Sequence, residues 1–167
     1  MKLTPENTKE ALDDFLKTVI RKARRNLKDK KINASKSLSR SFKSSVKINP
    51  NSLEASILAE DYLPFIDLGV KGVKGGKSLG GFKYTNKRPP LRFLQTWIKQ
   101  KSGRFRQRDQ RSQAFAVQRK VFNYGIRPTK FFSDPFEEEF KKLPQELIEA
   151  YGLDVEQFTR FLLDADI

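Results

Sequence analysis

Apolar residues recur every three to four positions through Leu12, Phe15, Leu16, Val19, Ile20, Ala23 and Leu27. This period predicts one long amphipathic helix over 5–31. Thr4-Pro5-Glu6 opens it with a hydroxyl N-cap, a proline at the first helical position and an acid in the first turn. Residues 33–41 are rich in Ser and Lys and read as a connector. The period then changes to two. Phe42, Ser44, Val46 and Ile48 alternate with Lys43, Ser45 and Lys47, and after the turn 49–52, Leu53, Ala55, Ile57 and Ala59 alternate again. Two half-buried strands of a hairpin, wet on one face, follow from that pattern.

Helical spacing returns at Leu91, Leu94, Trp97 and Ile98, in a helix expected to stop near Gly103. A third helix, from about Ser112 to Tyr124, carries Ala114, Phe115, Val117, Val121 and Phe122, with Gly125 as its C′ residue. Asp134-Pro135 starts another, with Glu137, Glu138 and Glu139 in the first turn, where the helix dipole favours acids. Its face continues through Phe136, Phe140, Leu143, Leu147 and Ile148, with a break expected at Pro144 and closure at Gly152. Asp154-x-x-Gln157 reads as a capping box for a last short helix bearing Phe158, Phe161 and Leu162. The sum is an α+β chain: a long N-terminal helix, a small antiparallel sheet packed by helices, a long Gly-rich basic loop and a helical C-terminus.

Composition narrows the chemistry. The chain has 167 residues, a length suited to one compact domain with decorations. It contains no Cys, so disulfides, thiolate metal sites and Cys nucleophiles are excluded. It contains no His either, which excludes a Ser-His-Asp triad and the commonest metal ligand. These exclusions favour binding or assembly over catalysis, with no cofactor and no metal expected. No apolar run is long enough to span a bilayer, and Met1 to Glu6 lacks the apolar stretch of a signal peptide.

The formal charge of +14 is uneven. Residues 1–132 hold 31 basic and 10 acidic side chains, and residues 133–167 hold 3 and 10. A +21 body thus carries a −7 tail. The body can meet a polyanion such as DNA, or the acidic end of one copy can meet the basic body of the next. Arg21, Arg24, Arg25 and Lys28 on the first helix, with Arg104, Arg106 and Arg108 in the basic stretch after the second, are the candidates for facing DNA or an acidic partner. The bland alternative for the first cluster is a solvated helix face whose cations suit the C-terminal dipole.

Six of nine glycines lie in 69–90, interleaved with Lys71, Lys74, Lys77, Lys83, Lys87 and Arg88. The spacing is that of neither a Walker loop nor a dinucleotide fingerprint. It predicts a flexible basic loop that orders on assembly. Glu60, Asp61 and Asp67, with Lys71 and Lys74, are the thin material for a Mg²⁺-dependent nuclease; turn caps and ion pairs are the simpler reading. Phe82, Tyr84 and Phe105 beside basic residues could stack single strands, although no known nucleic-acid motif is present.

One ordered set of segments carries a resemblance. It comprises the basic N-terminal helix and hairpin, Tyr62-Leu63-Pro64-Phe65-Ile66-Asp67-Leu68-Gly69-Val70-Lys71-Gly72, and Gly81-Phe82-Lys83-Tyr84. The helix with Trp97-Ile98, the helix from Ala114 to Val121 and the run Tyr124 to Phe132 follow. Gly125-Ile126-Arg127-Pro128-Thr129-Lys130-Phe131 fits a Gly-Ile-x-Pro-x-x-Phe signature. Over about 5–150, the chain resembles the tail-completion (neck, or head–tail joining) proteins of tailed bacteriophages. The resemblance implies a structural, non-enzymatic virion protein. Such a protein forms a sixfold or twelvefold ring around the DNA channel, between portal or adaptor and tail, and is assembled in the host cytoplasm. It implies a neck-like domain over 1–132, with the loop 69–90; an acidic helical extension, 133–167, is expected to pack on it or on a neighbour, and the acidic helix from Asp154 to Ile167 and the strong positive charge depart from typical members. Gly69, Gly72, Gly81, Phe82, Tyr84, Arg127, Pro128, Phe131 and Phe132 become the expected oligomer or partner interface. A nonspecific nucleic-acid-binding protein is the alternative.

Overall fold

A computed structural model of the chain describes residues 5–32, 36–49, 52–100 and 109–165. The described residues form seven helices and one two-stranded antiparallel sheet, an α+β arrangement with a long N-terminal helix. The chain divides into two compact units. Unit 1 gathers Met1–Asn26, Phe42–Leu58 and Phe132–Ile167; unit 2 gathers Leu27–Ser41 and Ala59–Phe131. Unit 1 thus joins residues from both sides of the charge boundary at 132/133.

Unit 1 is built on helix α1 (Glu6–Asp29). Its apolar stripe buries Leu12, Phe15, Leu16 and Val19 in a cluster with Leu143, as the helical period requires. Strands β1 (Lys43–Asn49) and β2 (Ser52–Leu58) pair with Val46 opposite Ala55 and Ile48 opposite Leu53. Val46, Leu53 and Ile57 pack on the α1 cluster, so the apolar phase of the alternation faces inward. Helix α6 (Ser133–Phe140) brings Phe136 and Phe140 edge-on to Phe15, at centroid distances of 5.7 and 6.5 Å. Helix α7 (Leu143–Ala165) adds Leu143 and Leu147.

The C-terminal region departs from the sequence expectation. Pro144 breaks nothing: it stands in the first turn of α7, where a missing N–H costs no hydrogen bond. Gly152 and Asp154 lie inside the same continuous helix. Asp154 therefore does not cap a last short helix. Its carboxylate reaches the start of α1, accepting from the backbone N–H of Asn7 (3.0 Å) and of Thr8 (2.9 Å). It also accepts from the Thr8 hydroxyl (2.6 Å) and the Asn7 side-chain amide (2.8 Å). The expected Thr4 cap lies outside the described residues. A capping acid supplied from 147 residues away satisfies the free donors of Asn7 and Thr8 in the first turn of α1.

Unit 2 contains α2 (Ser37–Ser41), α3 (Leu63–Asp67), α4 (Leu91–Gln100) and α5 (Gln110–Tyr124). Helix α2 occupies part of the expected connector, and its Ser41 hydroxyl accepts from the Glu60 backbone N–H at 3.1 Å. Helix α3 carries Pro64 in its first turn, where a missing N–H costs no hydrogen bond. Helices α4 and α5 pack on each other. Asp109 starts α5 two residues early by accepting from Arg111 N–H (3.1 Å) and Ser112 N–H (3.3 Å). Gly125 ends α5 at φ +77°, donating to Val121 O at 2.8 Å.

Candidate functional site

The Gly-rich segment, expected as a flexible loop, carries a backbone-bonded frame within unit 2. Val70 and Ile126 exchange both hydrogen bonds, at 2.9 and 2.8 Å. Val73 N–H donates to Phe122 O (3.0 Å) and Lys74 N–H to Asn123 O (2.8 Å). Lys71 bonds Phe82 O and Tyr84 N–H, both at 2.8 Å, closing the frame on its other side. Thr129 and Lys130 donate their N–H groups to Asp67 O, at 3.0 and 2.9 Å. Two of the segments that carry the resemblance, 62–72 and 124–132, thus meet along their backbones through residues 67–71 and 126–130.

Two glycines explain why the chains approach this closely. At Gly69 (φ +74°) a Cβ would lie 2.6 Å from Ile126 O and 2.7 Å from Pro128 N. At Gly125 a Cβ would overlap Val70 O. Only a residue without a side chain permits the Val70–Ile126 bridge.

The expected interface residues divide by burial. Gly69 and Gly72 are framework, packed against backbone. Phe131, one of the expected interface residues, is wholly buried. A burial-driven core position is what an aromatic after a rigid Arg-Pro-Thr connector can also supply. Phe132 belongs to unit 1, stacked on Phe42 (6.0 Å) and Phe136 (5.9 Å). Phe82 is half-buried, with Phe65 edge-on at 4.7 Å. Tyr84 is half-buried beside Phe122, and burial pushes its phenol above its ordinary pKa. Gly81 and Arg127 are exposed, and Pro128 is half-buried.

The basic candidates on α1 are exposed. Arg21, Arg24 and Arg25 lie on its outer side in unit 1, and Lys28 lies on its last turn in unit 2. Lys17, Arg21 and Arg24 line a shallow depression with Ile20, Phe42 and Ser44. Arg24 spends a guanidinium N–H on Phe42 O at 3.3 Å. Lys22 instead turns to α6, pairing with Glu138 (2.8 Å) and Glu139 (2.7 Å). Those hydrogen bonds raise the Lys22 pKa, and Lys22 and then Lys142 hold Glu139 below the usual carboxylate range. Arg104, Arg106, Arg108 and Phe105 lie outside the described residues.

Glu60, Asp61 and Asp67 are not brought together. Glu60 accepts from Ser37 Oγ at 3.0 Å, Asp61 is exposed, and Asp67 is buried. Among the described residues, no group of three or more carboxylates is placed to hold a metal ion. No described helix is long and apolar enough to cross a membrane.

The surface feature that sequence reasoning missed is on α7. Ile148 (73% exposed), Tyr151 (62%), Val155 (42%) and Leu162 (59%) form an apolar stripe at spacings of three, four and seven. The inward stripe of Leu143, Leu147, Ala150 and Asp154 is a separate one, about a quarter-turn away at 100° per residue. Ile148, expected on the core face, belongs to the outer stripe. The signal was the width of the apolar sector, too broad for one buried face. Likewise Phe93 (61%), Trp97 (38%) and Phe115 (42%) are exposed on α4 and α5, although the last two were assigned to apolar faces.

Comparison of the chain with protein-family models, with curated proteins and with solved structures finds no match.

Proposed function

We propose that this protein is a structural subunit of a tailed-phage neck, a ring joining portal or adaptor to tail around the DNA channel. The observation that carries the reading is the Val70–Ile126 bridge. It makes two of the segments of the resemblance, carrying Val70 and Ile126, parts of one framework. The exposed apolar stripe on α7 supports an assembly role, because apolar surface rimmed by polar residues marks interaction sites. The unequal charge supports it too, since complementary surfaces on one chain suit head-to-tail rings.

Loss of the gene in a phage that encodes it is expected to leave DNA-filled heads and finished tails unjoined, as counted by electron microscopy. Intact infectious particles from the deletion would defeat the proposal.

The exposed Arg21 and Arg25 favour one second reading, nonspecific contact with duplex phosphates. On that reading the isolated monomer binds any duplex, with a binding constant that falls steeply as salt rises.

A further inference from the structure

We infer that the outer stripe of α7 docks on the α4–α5 pair of a second copy of this chain. The inference rests on the reading of the chain as an assembly subunit and names the surfaces that would join one copy to the next. Three observations lead to it.

The first is apolar area on both sides. Ile148, Tyr151, Val155 and Leu162 stand in one line on α7, and Ile148 is nearly three-quarters exposed. Phe93 and Phe115 are exposed on α4 and α5. Aromatic and aliphatic anchors of this kind supply most of the energy of an interface core.

The second is charge. Among the described side chains of α7, the exposed charged ones are the acids Glu146, Glu149 and Glu156 and the base Arg160, Asp154 being buried against the start of α1. Helices α4 and α5 contain Arg92, Lys99, Arg111, Arg119 and Lys120 and no acid. Glu149 and Glu156, both exposed, lie about a third of a turn from the apolar stripe, away from the buried one, and Glu156 pairs with Arg160. Arg111 and Arg119 flank Phe115 at one helical turn before and after. Exposed apolar residues on a helix whose exposed charge is mainly acidic thus have, on the same chain, exposed apolar residues on two helices whose charge is wholly basic. Two α7 faces would repel each other, as would two α4–α5 faces. This selects the heterologous pairing over a twofold one.

The third is topology. A contact between two different faces leaves one of each unused at the ends of any pair. Such contacts propagate until they close into a ring.

The test uses the full chain in sedimentation velocity. The wild type is expected to self-associate with rising concentration, and less so at 1 M salt than at low salt. Ile148→Lys and Phe115→Glu, both at exposed positions, are each expected to weaken self-association at least tenfold, with unchanged circular dichroism. Mixing these two variants is the decisive arm. One retains its α4–α5 face and the other its α7 face, so an equimolar mixture is expected to form a one-to-one dimer and nothing larger. Should either variant misfold, Glu156→Lys and Arg119→Glu replace them, and the mixed dimer is again expected. A mixture that stays monomeric, single variants that associate like the wild type, or a wild type monomeric throughout would each overturn the inference. None of those results touches the head–tail reading if heads and tails still need the chain to join. Conversely, a mixed dimer with intact particles in the gene deletion would sustain the contact and sink the neck assignment.

Discussion

Asp154 shows most clearly how one residue gains its role from the fold. Burial would push its carboxyl up, yet the hydrogen bonds from Thr8 and Asn7 outweigh that and hold its pKa below the usual aspartate range. A pKa depressed in the folded state contributes stability that is fully present above the unfolded value. That stability is lost as pH falls through the folded value. Acid titration below the ordinary aspartate range is therefore expected to loosen α7 from the start of α1. Hydrogen exchange at Asn7 and Thr8 would report it. Asp154→Ala is expected to cost about 2 kcal/mol in chemical denaturation, the scale of a lost cap with buried donors left unpaired. In unit 2 the sensitive residue is Gly125. Gly125→Ala places a Cβ against Val70 O at a positive φ. A loss of about 3 kcal/mol or more is expected, because neither backbone can move without breaking the bridge. Neither role was legible in sequence. Asp154 sits in a faultless local capping box, and only the distant end of α1 competes for it. Gly125 reads correctly as a helix stop, but its contact with Val70 is tertiary.

At the scale of elements, long periodic segments were legible and short or tertiary-dependent ones were not. Helix α1, the hairpin, α4 and α5 follow from spacing alone, because each has several apolar residues in phase. Helices α2 and α3 have five residues each, too few to display a period. The joined α7 was read as two pieces because Pro144 and Gly152 carry strong local meaning, which packing of Leu143, Leu147 and Ala150 overrides. The same helix offers a separation of stability from assembly. A chain ending after Phe158 keeps the Asp154 cap and the inward residues, but loses Leu162 from the outer stripe. It is expected to melt within about 3 °C of the full chain. Its self-association should be measurably weaker. A large drop in melting temperature would assign the last turns to the fold rather than to the interface.

For the whole molecule, charge and apolar surface tell one story. The basic body and acidic tail were plain in the sequence, and unit 1 uses part of that contrast internally, through Lys22 with Glu138 and Glu139. On α7, Glu146, Glu149 and Glu156 are exposed. The candidate site was legible in its segments, which the fold brings together at Val70 and Ile126. Its outward-facing residues were not, because periodicity alone does not tell which of two adjacent apolar stripes is covered. A neck subunit is defined by its location and order in the particle. The most direct measurement is electron microscopy of purified tailed particles, with an antibody label against this chain. A label confined to the junction of head and tail, on a ring of identical subunits, is the predicted result. Particles free of the chain, or label spread along packaged DNA, would contradict it.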